Sequence, residues 1–195
     1  MTDVLDRNLF FVREHVGAFR AANNFDILDP ETGEEILHCR EPNLGGFTKL
    51  LRFSEHKKHT PFDLHVTTPD GRPVFQVTRG IAIFLSRVKV TDPSGEVLGG
   101  FQQRFFSVGG RFDILDAEDD PVCSLAGTWT RWNFSFTHEG RELATVSKKW
   151  SGIGKELFTS ADNYMLEISD LVLPGAPVRK LILASVLCID MVLKE

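Results

Sequence analysis

The sequence predicts a mainly β protein: a closed antiparallel barrel of about twelve strands around a C-terminal hydrophobic α-helix. Two observations support this fold. Five segments alternate apolar and polar residues on either side of a turn, which is the pattern of a β-hairpin. The last residues instead form a run that is apolar nearly all round, which is typical of a helix inside a protein. Closing the strands into a barrel leaves no exposed edge, and a barrel this wide needs a filler.

The strands follow one another along the chain. "LFFVREH" supplies the first strand, and "NYMLEIS" supplies the last. Between them the five hairpins are "FDILDPETGEEILHCRE", "FDLHVTTPDGRPVFQVTRG", "RVKVTDPSGEVLGGFQQR", "FDILDAEDDPVCSLAG" and "NFSFTHEGRELATVSKKW". Their turns are rich in Pro, Asp and Gly, because Pro presets φ and Gly accepts a positive φ. Residues 44–60 fit neither pattern, and whether they form a helix or a strand stays open.

One strand motif occurs twice. The letters "FDILD" begin at Phe25 and return at Phe112, and each copy enters an acidic turn. No linker or change of composition separates the two copies. We therefore predict a single domain over residues 1–195.

The C-terminal stretch "PVRKLILASVLCIDMVLKE" is a poor membrane anchor. A spanning helix needs about 20 mostly apolar residues, but the uncharged run from Leu181 to Ile189 has nine. Asp190 ends that run, and Arg179 and Lys180 precede it. We predict that this segment fills the barrel and that the protein is then a monomer. The predicted core residues are Leu181, Leu183, Val186, Leu187 and Ile189.

Composition excludes several functions. A formal net charge of -5 argues against nucleic-acid binding. Cys39, Cys123 and Cys188 are scattered, which indicates free thiols in a reducing compartment. The N-terminal residues do not resemble a signal peptide, so we expect the cytoplasm or the cytoplasmic face of a membrane. There is no G-x-S-x-G motif, and Cys188 lies in the apolar tail, so we do not expect an enzyme.

Three short motifs resemble a known family. They are "KKWSG" at 148–152, "ELFTSADNY" at 156–164 and "LCID" at 187–190. The chain is similar to the phospholipid scramblases and the LURP-one-related proteins, which belong to the tubby C-terminal-like group. The scramblases carry a similar "K-x-W-x-G … F-T-D-A-D-N-F" before an apolar helix that contains "L-I-D". This resemblance implies a barrel around a helix, and calcium-dependent movement of phospholipids at the cytoplasmic leaflet.

The resemblance also implies a calcium segment. Its candidate ligands here are Asp162, Asn163 and Glu167. The first Asp of the family pattern is Ser160 in this chain, and Met165 stands where the family often has Gly. Calcium prefers six to eight oxygen ligands, so these departures predict weak binding. The alternative is a plain turn that leads into a strand. No other cofactor is expected.

The candidate lipid-binding residues are basic or aromatic: Lys148, Lys149, Trp150, Arg179 and Lys180. Phospholipid headgroups are the predicted partners, because Trp favours the bilayer interface and basic residues favour acidic lipid. The leading hypothesis is a scramblase-related protein that binds or translocates phospholipids at the cytoplasmic membrane face. The alternative is a soluble LURP-one-like module that binds a ligand or another protein and has no membrane role.

Overall fold

The computed structural model describes residues 3–15, 24–42, 60–80, 87–103, 111–128, 133–148 and 163–193. Within these ranges the chain forms a closed antiparallel barrel of twelve strands and one C-terminal α-helix. The predicted fold class is confirmed. Of residues 44–60, only Thr60 lies in the described residues, so their secondary structure stays a prediction.

All five predicted hairpins and both flanking strands are present. Each strand pairs with its neighbours in the sequence, and β1 pairs with β12 to close the barrel. The strands are β1 (Leu9–Glu14), β2 (Phe25–Leu28), β3 (Glu35–Arg40), β4 (Phe62–Thr67), β5 (Pro73–Arg79), β6 (Arg87–Thr91), β7 (Val97–Gln103), β8 (Phe112–Leu115), β9 (Pro121–Thr128), β10 (Asn133–His138), β11 (Arg141–Ser147) and β12 (Asn163–Ile168).

Up-and-down order gives the barrel two different ends. The five tight turns, at residues 29–34, 68–72, 92–96, 116–120 and 139–140, all lie at one end, which we call the hairpin end. The 3₁₀ turn Val4–Asp6 and residues 169–176, which follow β12, lie there too. The other end, where the odd-numbered strands finish, is called the opposite rim.

Aspartates build three of the tight turns in the same way. The carboxylates of Asp29, Asp92 and Asp116 each accept hydrogen bonds from backbone N–H groups two to four residues later. This local bonding is why Asp is favoured at turns. The pairing register also shifts by a residue beside the turn in both copies of "FDIL", between β2 and β3 and between β8 and β9.

The C-terminal helix fills the barrel. Helix α1 (Pro177–Leu193) begins at the hairpin end, and every residue from 181 to 189 is at most 3% exposed. Nine successive buried residues cover all sides of a helix, so strands surround it, and its side chains share one core with theirs. That core includes the predicted residues Leu181, Leu183, Val186, Leu187 and Ile189. In the described ranges, no helix is long and apolar enough to cross a membrane.

The guanidinium of Arg179 fastens this helix to the N-terminal segment. Arg179 is 2% exposed. Its Nε donates to the carbonyl oxygen of Leu5 at 2.7 Å, and its Nη1 donates to that of Val172. Its Nη2 donates to the carbonyl oxygen of Arg7 at 2.5 Å and to Oδ1 of Asn8 at 2.7 Å. The helix dipole disfavours a cation in the first turn of a helix, and burial of the guanidinium adds to this cost. Hydrogen bonds to the four oxygen atoms stabilise the buried charge.

We predict that Arg179→Ala lowers the free energy of unfolding by about 3 kcal/mol, because the carbonyl groups of Leu5, Val172 and Arg7 lose a charged donor, and the first two residues are buried. Urea denaturation measures this change. The matched control is Lys180→Ala at the next, half-buried position, which we expect to change stability by at most about 0.5 kcal/mol. Equal effects of the two substitutions would show that the guanidinium does not fasten the helix.

Candidate functional site

A run of polar side chains lies along the opposite rim, across five neighbouring strands from β11 to β3. Lys148 directly follows β11, and its Nζ lies 5.2 Å from the centroid of the Tyr164 ring on β12. The Tyr164 ring is buried, and the ammonium group of Lys148 lies over its face in a cation–π contact. Lys148 itself is only half-buried. Lys148 is therefore a positioned cation at the barrel surface.

Asp26 is the centre of a charged cluster on the next strands. Its carboxylate is about 4% exposed, although it faces away from the apolar core. Arg13 Nη2 lies 2.8 Å from Oδ2, Arg40 Nη2 lies 2.5 Å from Oδ1, and His15 Nε2 lies 2.5 Å from Oδ2. Arg13 also reaches Glu35 at 2.8 Å. The cluster ties β1, β2 and β3 together.

The hydrogen-bond partners of Asp26 decide its charge state. Burial alone would raise the pKa of this carboxyl, but hydrogen bonds from Arg13, Arg40 and His15 outweigh burial and hold the pKa well below its ordinary value of 3.8. Asp26 is therefore ionised at neutral pH, and its negative charge offsets part of the positive charge of the arginines.

Sequence reasoning missed this cluster. Alternation along β2 indicates that Asp26 faces outward, but its three partners lie on other strands, and the pairing register decides which ones meet. The repeat gives no signal either, because Asp113, at the matching position of the second copy, accepts a hydrogen bond from Ser124 Oγ at 2.9 Å instead.

The predicted calcium ligands are only partly described. Asp162 lies outside the described residues. Asn163 is buried at the start of β12, whereas Glu167 is exposed four residues further along the strand, which is a rise of about 13 Å. The described residues contain no group of three or more His, Cys, Asp or Glu side chains that could hold a metal ion. Calcium binding stays a prediction.

The predicted lipid-binding residues do not form one surface. Lys149 and Trp150 lie outside the described residues. Lys148 lies at the opposite rim, but Arg179 and Lys180 lie at the hairpin end, where α1 begins. The donors of Arg179 are occupied by the contacts described above, so of these two neighbours Lys180 is the cation left near the surface.

The cysteines lie inside the protein. Cys39, Cys123 and Cys188 are all buried free thiols. Burial raises the pKa of each thiol, to about 12 for Cys123. A thiol with a raised pKa is a weak nucleophile at neutral pH.

Comparison with known families agrees with the motifs. A family model described as Scramblase matches residues 9–195, from the first residue of β1 to beyond the end of α1. The chain belongs to the scramblase family. The family predicted from the sequence resemblance is therefore confirmed.

Three curated relatives are similar to the chain. Altered inheritance rate of mitochondria protein 25 of Saccharomyces cerevisiae is 22% identical over 190 residues, which is 85% of this chain and 57% of that protein. A phospholipid scramblase family protein of Schizosaccharomyces pombe is 23% identical over 175 residues, 85% of this chain and 45% of the relative. Phospholipid scramblase family member 5 of Homo sapiens is 22% identical over 120 residues, 54% of this chain and 44% of the relative. The chain thus spans about half the length of these relatives.

A solved structure shares the fold. The X-ray structure of an Arabidopsis thaliana protein matches with a TM-score of 0.52 and 14% sequence identity. The match covers 93% of this chain and 90% of that chain. The likeness therefore extends over nearly the whole barrel.

We predict that the ionised Asp26 stabilises the folded protein above pH 4, and that this stabilisation is lost as the pH falls from about 4 toward the lower folded-state pKa. Asp26→Asn should cost about 2 to 3 kcal/mol at pH 7, because charged hydrogen bonds are weakened. The variant should also lose less stability than the parent between pH 5 and 2, roughly the range of carboxyl titration. Chemical denaturation at a series of pH values measures both effects.

Asp113→Asn is the matched control, since Asp113 occupies the same position in the second copy of the repeat. We expect it to cost less than about 1 kcal/mol and to keep the acid dependence of the parent. If Asp26→Asn shows the acid dependence of the parent, the cluster does not stabilise the fold in the way described.

Proposed function

We propose that the protein binds anionic phospholipid headgroups at the surface of its barrel, on the cytoplasmic face of a membrane. The observation that carries this proposal is the Scramblase family match over residues 9–195, which includes every strand and the helix. Two of the relatives bear the words phospholipid scramblase in their names. Lipid binding is the part of a scramblase-related function that a barrel with a filled interior can perform.

The chemistry of the opposite rim supports headgroup binding. Lys148 offers an ammonium group held against Tyr164, and lysine binds phosphate as a point charge. In the sequence it is followed by Lys149 and Trp150, and these residue types favour an acidic surface and the bilayer interface, respectively. We propose that these three residues contact the headgroup region together.

The packed interior supports a surface mechanism. Residues 181 to 189 of α1 are buried against the strand side chains in one core, so a lipid has no room to pass along the barrel axis in this conformation. Translocation between leaflets would require the helix to leave the barrel or several chains to assemble. The proposal is therefore headgroup binding, with translocation as a further step.

The second candidate is a soluble module that binds a ligand or a protein partner without a membrane. The buried helix favours this candidate, because the most apolar segment of the chain is already satisfied inside the barrel. The two candidates differ in one measurable property, the affinity for a lipid surface.

Flotation of the purified chain with liposomes tests the proposal. We expect the protein to float with vesicles of acidic phospholipid and to stay at the bottom with neutral vesicles. Flotation should weaken as salt is raised, because salt screens surface charges. Protein that fails to float with acidic vesicles at low salt, with and without calcium, would rule out headgroup binding and leave the soluble module.

The same experiment, run with calcium and with a chelator, tests the predicted calcium segment. We expect flotation to persist in the chelator, because Ser160 and Met165 depart from the family pattern and predict weak calcium binding. Flotation that requires calcium, and that Asp162→Ala abolishes, would instead establish Asp162 as a ligand.

A further inference from the structure

A groove lies on the outer face of the barrel, over strands β5 to β8. The residues that face inward on these strands belong to the apolar core, for example Val77, Val88 and Phe101. Their neighbours in the sequence face outward. Strand pairing places four of these in one row across the sheet: Thr78, Lys89, Gly100 and Leu115. The row lines a cavity of about 500 Å³, a volume typical of a small-molecule site.

Two glycines of β7 give the groove its depth. Gly100 places no side chain on the outer face, and a Cβ atom there would collide with the carbonyl oxygen of Val88. At Gly99, where φ is +138°, a Cβ atom would collide with the carbonyl oxygen of Leu115. A larger residue at either position would therefore have to displace the backbone of a neighbouring strand.

The turn at residues 116–120 forms one wall of the groove. It reaches across β7, so that Asp119 accepts a hydrogen bond from the guanidinium of Arg87 on β6. Asp116 and Ala117 line the cavity on the same side. Leu115 faces away from the core and is nevertheless only 8% exposed, which shows that the outer face is covered here.

Opposite charges line the two sides of the groove. Arg87 and Lys89 lie on β6, whereas Asp116 and Asp119 lie on the turn that follows β8. Strands β6 and β8 are two strand spacings apart, roughly 10 Å. The four formal charges cancel, so the groove does not match a simple anion. It matches a ligand whose own positive and negative groups are joined by a short link.

The charged side chains keep atoms available for such a ligand. The bond to Asp119 uses Nη2 of Arg87, but a guanidinium has five N–H donors. Asp116 accepts two backbone N–H groups of its own turn through Oδ1, so Oδ2 is the oxygen that can accept from a ligand. In the part of the chain that the structure describes, Lys89 forms no ion pair.

We propose that this groove binds a phospholipid headgroup that carries a primary ammonium group beside its phosphate. The phosphate lies against Lys89 and Arg87, because lysine binds phosphate as a point charge and arginine binds it through its N–H groups. The ammonium group donates charged hydrogen bonds to the carboxylates of Asp116 and Asp119. The inference rests on the headgroup binding proposed above and adds which headgroup is recognised.

The lining of the groove favours a primary over a quaternary ammonium group. A quaternary ammonium group has no N–H to donate, and proteins bind it with aromatic rings. None of the described residues that line the groove is aromatic, and two of them are carboxylates. The groove should therefore distinguish an ethanolamine headgroup from a choline headgroup.

Soluble headgroup analogues test the groove without a membrane. The full chain is titrated with glycerophosphoethanolamine, and the backbone amide signals of Lys89, Gly100 and Asp116 are followed by NMR. We expect these signals to shift until the site is saturated. Glycerophosphocholine should bind about fivefold more weakly, the equivalent of one lost surface ion pair. Equal affinity for the two probes would overturn the proposal.

Two substitutions assign the two halves of the ligand, and each has a matched control. Lys89→Gln and Asp116→Asn should each weaken binding of glycerophosphoethanolamine about fivefold, and Asp116→Asn should also abolish the preference over glycerophosphocholine. The controls are Arg141→Gln, an exposed cation on β11, and Asp92→Asn, whose carboxylate accepts backbone N–H groups of its own turn in the same way. Controls that weaken binding as much as the groove variants would overturn the site.

Vesicles separate this site from headgroup binding in general. Acidic vesicles of phosphatidylglycerol contain either phosphatidylethanolamine or phosphatidylcholine as the second lipid. We expect tighter binding to the ethanolamine mixture, and Asp116→Asn should remove the difference. A chain that floats equally with both mixtures, and whose groove amides do not respond to glycerophosphoethanolamine, keeps the proposed function and overturns the groove site. A chain whose groove binds the soluble probe but that floats with neither mixture keeps the site for a soluble ligand and overturns headgroup binding at a membrane.

Discussion

The need to fill a wide barrel is the constraint on which the rest of this structure depends. Twelve antiparallel strands remove every sheet edge by closing on themselves, but the enclosed space is too wide for strand side chains alone. Helix α1 occupies that space with residues that are apolar on all sides. At the hairpin end, where the helix begins, Arg179 donates hydrogen bonds to backbone carbonyl groups of the two segments that surround it.

Much of the fold was predictable because its determinants are local. Alternation along each strand and the Asp, Pro and Gly residues of the turns lie within short windows, and all five hairpins were found from them. The position of the helix inside the barrel was also predictable. The uncharged run before Asp190 has nine residues, which is too short to span a bilayer. The role of Arg179 was not predictable, because its acceptors Leu5 and Arg7 come from the other end of the sequence.

The candidate site was less predictable than the fold for the same physical reason. In the sequence, Lys148 and Lys180 are both candidate lipid-binding lysines, but the strand order places them at opposite ends of the barrel. Arg179 and Lys180 are neighbours in the chain, yet only the first is buried. Asp26 meets Arg13, Arg40 and His15 through pairing between strands. Each of these facts depends on register and topology, which a single sequence does not specify.

The pairing of β1 with β12 has a consequence for biosynthesis. Residues 9 to 13 find their partners at 163 to 167, and α1, which fills the interior, follows those partners in the chain. A ribosome that has produced the first eleven strands has therefore made a sheet with two open edges and an uncovered apolar face. Such a nascent sheet is prone to aggregate. The barrel can close only after residues 163 to 167 have left the ribosome, and it can be filled only after the helix that follows them. Chaperones that shield apolar surface during translation should thus govern how much of this protein reaches its folded state.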